Sequence, residues 1–173
     1  MKRLKLFIPL GIFVGLAVLL YLGLSRNPDD LPSALIGKSL PAFALPSLDD
    51  PTRVVTDKDL LGQAYILNVW ASWCTNCKIE LPFLGKLAAQ GIKIVGINYK
   101  DPAEDAKALL ADVRSPYQIN IADKDGKLGI DLGVYGAPES FIVDAQGVIR
   151  EKIVGEITED NWRGKIAQYF YDR

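Results

Sequence analysis

The two cysteines of this 173-residue chain, Cys74 and Cys77, are separated by only two residues, and the chain has no histidine. Two thiolates cannot complete a structural zinc site, which needs four Cys or His ligands. A structural disulfide that closes so short a loop would constrain the unfolded chain little. Without histidine, Ser-His-Asp catalysis and His-ligated haem are also excluded. The pair therefore favours reactive thiol chemistry, with no metal and no cofactor beyond the Cys74–Cys77 disulfide itself.

The residues around the cysteines predict a strand–helix–strand unit. Two mostly apolar runs, residues 64–70 and 92–99, enclose a segment with apolar residues at helical spacing, residues 75–89. Such runs are typical of buried central strands. Their order predicts parallel pairing with a right-handed crossover.

Cys74 then lies where a strand gives way to a helix. Backbone N–H groups and the helix dipole at that point stabilise a thiolate and lower the pKa of a cysteine. The thiolate is the attacking species in disulfide exchange. We therefore expect Cys74 to be the attacking thiol and Cys77, one helical turn further on, to be the more buried resolving thiol.

The rest of the pattern completes one α/β domain over residues 37–173. The further elements that it predicts are a hairpin at 40–48 and 52–55, helices at 103–113 and 127–132, a strand at 119–122, a hairpin at 140–144 and 148–154, and a closing helix at 158–171 with Thr158 as N-cap. The chain has 20 basic and 21 acidic residues. It has no basic surplus for phosphate backbones, so we expect no nucleic acid among its partners.

The N-terminal residues 6–24 form an uncharged, mostly apolar run. A helix that rises about 1.5 Å per residue just spans a hydrocarbon core of about 30 Å over such a length. Three basic residues precede the run and two acidic residues follow it. By the positive-inside rule, this order predicts a cytoplasmic N-terminus (1–5), a single transmembrane anchor (6–24), a linker (25–36) and an exported domain (37–173). A cleaved signal peptide is the alternative, although its apolar region is usually shorter.

Four segments resemble the thioredoxin superfamily and, more narrowly, the CcmG/DsbE group of tethered thioredoxins of cytochrome c maturation. They are NVWASWC (68–74), C-x-x-C-x-x-E-x-P (74–82), GVYGAPES (133–140) and FIVDAQGVI (141–149). The resemblance covers roughly residues 36–173. It implies a thioredoxin-like α/β fold, in which a central mixed sheet is flanked by helices, and the N-terminal transmembrane helix fits a tethered protein.

The resemblance also implies catalytic roles for Pro138 and Glu80. Pro138 is expected to be a cis proline beside the two sulfurs, with the backbone of Ala137 pairing with an extended substrate. Glu80 is expected to be a partly buried acid that helps proton transfer as Cys77 attacks. Asn68 supports this role, because it stands where ordinary thioredoxins carry a buried Asp. The alternative for Glu80 is a solvated surface glutamate.

Trp73, Tyr135 and Glu139 are the other candidates for the substrate groove. Trp73 and Tyr135 would line its apolar rim, whereas core packing is favoured for Trp70. Glu139 would raise the pKa of the thiols or recognise a partner, and an exposed strand-edge position is the equal alternative. The family often has proline between the cysteines. The Thr75-Asn76 dipeptide found here leaves the direction of electron flow open.

The function that the resemblance implies is that of a protein-disulfide reductase. It would be anchored by a single pass in a bacterial inner membrane, with its C-terminal domain in the periplasm. Its partners would be apocytochrome c or cytochrome c maturation proteins, with a membrane electron donor of DsbD/CcdA type. A general periplasmic reductase, an oxidase or isomerase of the same fold, a peroxidase and a non-catalytic docking module are the alternatives.

Overall fold

The computed structural model describes residues 4–24 and 33–171, with the side chains of residues 7–23 and 33–171. The chain divides into two units, Met1–Pro32 and Ser33–Arg173. Residues 1–3 of the predicted N-terminus and residues 25–32 of the predicted linker lie outside the described residues.

The first unit contains helix α1 (Leu4–Leu24), which includes the whole of the predicted anchor, residues 6–24. Its described side chains are exposed all round the helix. Within the residues that the structure describes, no helix meets the length and apolarity needed to cross a membrane. The structure therefore does not confirm the predicted transmembrane helix.

The second unit is built on a mixed five-stranded sheet beside a two-stranded hairpin. The hairpin consists of β1 (Ala44–Pro46) and β2 (Val54–Thr56), and the sheet consists of β3 (Tyr65–Trp70), β4 (Lys93–Tyr99), β5 (Ile119–Asp123), β6 (Glu139–Val143) and β7 (Ile149–Val154). The spatial order is β5-β4-β3-β6-β7. β3 and β5 are parallel to β4, whereas β6 is antiparallel to β3 and to β7. The predicted strands and both predicted hairpins are confirmed.

Helices cover the sheet, and every residue of β3 is buried. They are α2 (Thr75–Ala89), α3 (Ala103–Asp112) and α4 (Lys127–Asp131). Because successive strand side chains point to opposite faces, Ile66 packs with Leu84 and Leu87 of α2, whereas Leu67 packs with Leu128 of α4. Trp70, at the end of β3, lies in a third cluster that contains both cysteines. The sheet thus carries a closed core on each face.

The C-terminal segment differs from the single predicted helix. It consists of α5 (Glu159–Asn161), a π-helical turn at Trp162–Ile166 and α6 (Gln168–Tyr171). Thr158 caps it as predicted, since its side chain accepts a hydrogen bond from Asn161 N at 3.3 Å. In the turn, Ala167 N donates to the Trp162 carbonyl at 2.8 Å, five residues back. The apolar pattern did not reveal this change, because Trp162 and Ile166 are buried together and have the spacing of an ordinary helix.

Gly96 on β4 gives a test of the packing beneath the cysteine cluster. A Cβ atom at this position would lie 2.5 Å from Asn120 Oδ1, 2.9 Å from Trp70 Nε1 and 3.0 Å from Tyr117 Cδ1. Gly96→Ala is therefore expected to lower the free energy of unfolding by about 1–3 kcal/mol, measured by denaturant unfolding. Gly85→Ala on α2 is the matched control. Its Cβ would have no neighbour within 4 Å, and a gain of roughly 0.5–1 kcal/mol is expected. Equal effects of the two substitutions would contradict the close packing at Gly96.

Candidate redox site

Cys74 and Cys77 form a disulfide in this structure, with their Cα atoms 5.3 Å apart. α2 begins directly after Cys74, which is its N-cap residue, and Cys74 Sγ accepts a hydrogen bond from Cys77 N at 3.1 Å. Cys74 is 5% exposed and Cys77 is 1% exposed. The Cys74 sulfur therefore lies at the positive end of the α2 dipole, where a thiolate is stabilised. The assignment of attacking and resolving thiol stays a prediction that this arrangement favours.

Glu80 lies on α2 one turn after Cys77 and is buried, so the solvated alternative is wrong. Its Oε1 accepts a hydrogen bond from Ile157 N at 2.6 Å, and its Oε2 accepts one from Asn68 Nδ2 at 3.0 Å. Burial raises the pKa of Glu80 to about 7; the two hydrogen bonds oppose the rise, and the charge of Glu156 adds to it. A carboxyl group of this acid strength exchanges its proton near neutral pH.

Asn68 links Glu80 to two further side chains that the sequence did not assign to the site. Its Nδ2 also donates to Ser140 Oγ at 2.9 Å, and its Oδ1 accepts a hydrogen bond from the Tyr117 hydroxyl at 2.7 Å. The Tyr117 ring stacks on Trp70 with centroids 5.4 Å apart. Burial raises the pKa of Tyr117 well above its ordinary value, so its hydroxyl keeps its proton. A hydrogen-bonded network therefore runs from Tyr117 to Glu80.

The Ala137–Pro138 peptide bond is cis, as the resemblance implied. Ala137 packs against the apolar cluster that contains both cysteines. The segment before Pro138 is therefore adjacent to the disulfide. The expected pairing of Ala137 with substrate stays a prediction.

Glu139 is 2% exposed and is not the exposed strand-edge residue that the sequence allowed. Its Oε1 accepts hydrogen bonds from Tyr135 N at 2.7 Å and Gly136 N at 3.2 Å. Its Oε2 lies 2.8 Å from Lys152 Nζ, as an ion pair without the geometry of a hydrogen bond. Glu139 thus fixes the loop before Pro138, and Lys152 balances its charge. Because the Glu139 carboxylate is buried, it offers no exposed group for the predicted recognition of a partner.

Asp101 holds the loop on the other side of the disulfide, and the sequence analysis missed it. This buried residue accepts hydrogen bonds from Ser72 N at 2.6 Å, from Ser72 Oγ at 2.6 Å and from Asn98 Nδ2 at 2.8 Å. The neighbouring Lys100 carbonyl accepts a hydrogen bond from Trp73 Nε1 at 3.2 Å. The position of Asp101 in the sequence could have revealed it. Asp101 follows β4, and the C-terminal ends of the parallel strands β3 and β4 meet at one edge of the sheet.

The aromatic candidates separate as the sequence predicted. Trp73 is 55% exposed and Tyr135 is 88% exposed, whereas Trp70 is fully buried in the core. The two exposed rings offer apolar surface on the segments that precede Cys74 and Pro138. Their contact with substrate stays a prediction.

A redox disulfide at the start of α2, on a mixed sheet of this order, defines a thioredoxin-like protein whose chemistry is dithiol–disulfide exchange. Residues 35–168 match the profile of the Redoxin family. The chain therefore belongs to the Redoxin family of thioredoxin-like proteins.

Curated relatives and solved structures agree with this assignment. The chain is 51% identical over 170 residues to a thiol:disulfide interchange protein DsbE of Pseudomonas aeruginosa, covering 98% of this chain and 94% of the relative. It is 46% identical over 173 residues to the DsbE of Escherichia coli K12, covering 96% and 93%. A crystal structure of a putative DsbE from Chlorobium tepidum superposes with a TM-score of 0.67 at 30% identity, covering 78% of this chain and 94% of that one.

The pKa of Glu80 predicts a pH dependence of stability. Because this pKa is raised in the folded state, from 4.5 to about 7, the folded protein binds the Glu80 proton more tightly than the unfolded chain does. The contribution is therefore complete below about pH 4.5 and is lost as the pH rises through 7. The free energy of unfolding of the oxidised protein, relative to that of Glu80→Gln, is expected to fall by roughly 2–3 kcal/mol between pH 5 and pH 8.

Urea unfolding at both pH values measures this difference, with Glu104→Gln as the control. Glu104 is an exposed glutamate in the first turn of α3, and its substitution should leave the pH dependence of the wild type unchanged. A Glu80→Gln variant that keeps the wild-type slope would show that Glu80 ionises at its ordinary pKa.

Proposed function

We propose that this protein is a membrane-anchored periplasmic reductase of protein disulfides, whose oxidised form is the one seen here. The observation that carries its exchange chemistry is the Cys74–Cys77 disulfide at the start of α2 with the buried Glu80 carboxyl, whose pKa is about 7, one turn after Cys77. A group of this kind serves the step in which a buried resolving thiol must lose its proton near neutral pH.

The first step of the proposed cycle is attack by the Cys74 thiolate on one sulfur of the substrate disulfide. The substrate S–S bond breaks, its other sulfur leaves as a thiolate, and a mixed disulfide with Cys74 forms. The helix dipole at the start of α2 favours the attacking thiolate. Trp73 and the Pro138 segment would hold the substrate chain beside Cys74.

The second step releases the product. The Cys77 thiol transfers its proton to the Glu80 carboxylate, and the resulting thiolate attacks Cys74 Sγ. The mixed disulfide breaks, the substrate leaves as a dithiol after protonation, and the Cys74–Cys77 disulfide forms. Two electrons have passed to the substrate, so a dithiol donor must reduce the pair before the next turnover.

The proposed partners are apocytochrome c or other cytochrome c maturation proteins, with a membrane donor of DsbD/CcdA type. The resemblance to the tethered thioredoxins supports them, and the relatives named as thiol:disulfide interchange proteins support the exchange chemistry. The exposed apolar surface of α1, with no charged residue from Phe7 to Gly23, supports a membrane anchor. An oxidising compartment such as the periplasm is where a dedicated reductant of substrate disulfides is needed.

The reduction potential of the Cys74–Cys77 pair tests the proposed direction. Equilibration of the protein with glutathione or dithiothreitol buffers is expected to give a value within the ~−200 to −270 mV span of glutaredoxins and thioredoxin. A value near the ~−120 mV of DsbA would make the protein an oxidase or isomerase instead.

Trapping tests the order of the two thiols. Reduced Cys77→Ser is expected to accumulate a mixed disulfide with a disulfide-bonded peptide, because its Cys74 attacks and no resolving thiol follows. The matched variant Cys74→Ser should accumulate far less, since its remaining thiol is buried at 1% exposure. Mass spectrometry of the adducts measures both. Equal trapping by the two variants would overturn the assignment of Cys74 as the attacking residue.

A further inference from the structure

The proposed mechanism assigns no role to the Tyr117 hydroxyl, although the hydroxyl is held in a defined position. Tyr117 precedes β5, and its ring stacks on Trp70 at 5.4 Å. Gly96 makes this possible, because a Cβ there would meet both Trp70 Nε1 and the Tyr117 ring. The hydroxyl donates to Asn68 Oδ1 at 2.7 Å.

This hydrogen bond fixes the orientation of the Asn68 amide. An amide oxygen only accepts, so the Tyr117 hydroxyl must be the donor. With Oδ1 turned to Tyr117, the Nδ2 group is directed to Glu80 Oε2 at 3.0 Å and Ser140 Oγ at 2.9 Å. The reverse orientation of the amide would place Oδ1 against the Glu80 carboxylate, which a negative charge opposes.

Glu80 depends strongly on this donor because its other partners are few. Its carboxyl group receives one side-chain hydrogen bond, from Asn68, and one backbone hydrogen bond, from Ile157. The titratable groups around it are Cys77 on its own helix, Tyr117, and Glu156 after β7. In residues 33–171, no basic side chain forms an ion pair with Glu80.

We propose that Tyr117 is a positioning residue for Glu80: acting through Asn68, it keeps an amide N–H directed at the carboxylate and so favours the ionised form that accepts a proton. The inference rests on the proposed role of Glu80 in resolving the mixed disulfide. It assigns to a tyrosine outside the cysteine motif a share in setting the pH range of the reaction. The hydroxyl itself does not touch the reacting sulfurs in this assignment.

The direct test is the titration of the Glu80 side-chain carboxyl by carbon-13 NMR in the full-length oxidised chain. In this state the cysteines do not titrate, and no activity is needed. Tyr117→Phe is expected to raise the Glu80 midpoint by about 0.5–1 pH unit, because the amide loses its polarising donor and is free to reverse. Tyr99→Phe, which removes a tyrosine hydroxyl outside the network, should leave the midpoint unchanged. An unchanged midpoint in Tyr117→Phe would overturn the proposal.

A double-mutant cycle then tests whether the effect passes through Asn68. Asn68→Ala should itself raise the Glu80 midpoint, since it removes the amide donor. In the Asn68→Ala background, Tyr117→Phe should add no further shift. A second shift of the same size as in the wild-type background would mean that Tyr117 acts on Glu80 directly, and the positioning role would be wrong.

The pH profile of disulfide reduction separates this inference from the proposed function. If Glu80 accepts the Cys77 proton, the alkaline shift in Tyr117→Phe should appear in the rate of mixed-disulfide resolution, with a lower rate at pH 7 and a rate close to wild type at pH 9. A shifted NMR midpoint with an unshifted rate profile would support Tyr117 as a positioning residue and refute Glu80 as the proton acceptor.

Discussion

The burial of one carboxyl group, that of Glu80, is the constraint on which the arrangement of the site depends. A carboxylate removed from water is costly unless donors replace the lost hydration. Here the donors come from two distant parts of the chain, Asn68 on β3 and the backbone of Ile157 after β7. The hydrogen bonds thus join α2 to the centre of the sheet and to the C-terminal segment. The same burial that makes Glu80 a structural link also raises its pKa to about 7, so one physical cause underlies both the packing and the proposed chemistry.

The side chains of β3 alternate between the two faces of the sheet, and this alternation combines apolar packing with the hydrogen bond to Glu80. Its odd-numbered residues, such as Leu67, fill the apolar core on the face of the sheet away from α2, while Ile66 and Trp70 pack on the other face. Asn68 is the polar exception on that second face, and it is fully buried. An unpartnered amide there would cost about 1–3 kcal/mol or more. Its three side-chain hydrogen bonds, with Glu80, Ser140 and Tyr117, therefore need all three partners to be in place.

The sequence predicted the elements of the domain well and the polar contacts between them poorly. The apolar periodicities indicated β3, α2 and β4 to within one residue, because burial on both faces of a strand or one face of a helix leaves a regular pattern. Glu80 emerged only through its position in a family motif. Tyr117 and Asp101 were missed because each is an isolated polar residue beside a strand end. Tertiary packing determines which side chain such a residue contacts, and the sequence pattern does not show it. Glu139 was misjudged for a similar reason: Lys152, which pairs with it, comes from the neighbouring β7.

Three buried carboxyl groups, those of Asp101, Glu139 and Glu80, hold the segments around the disulfide. Their hydrogen-bonding and ion-pair partners indicate different roles. Asp101 accepts three hydrogen bonds and fixes Ser72, two residues before Cys74. Glu139 accepts two backbone hydrogen bonds, carries an ion pair with Lys152, and fixes the loop before Pro138. Each of these two carboxyl groups is contacted by several donors or by a cation, as suits a structural role. Glu80 has two neutral donors and, within residues 33–171, no cation paired with it, so its charged and uncharged forms differ little in free energy near pH 7. A carboxyl group that takes up and gives back a proton during each turnover, as proposed for Glu80, needs this balance.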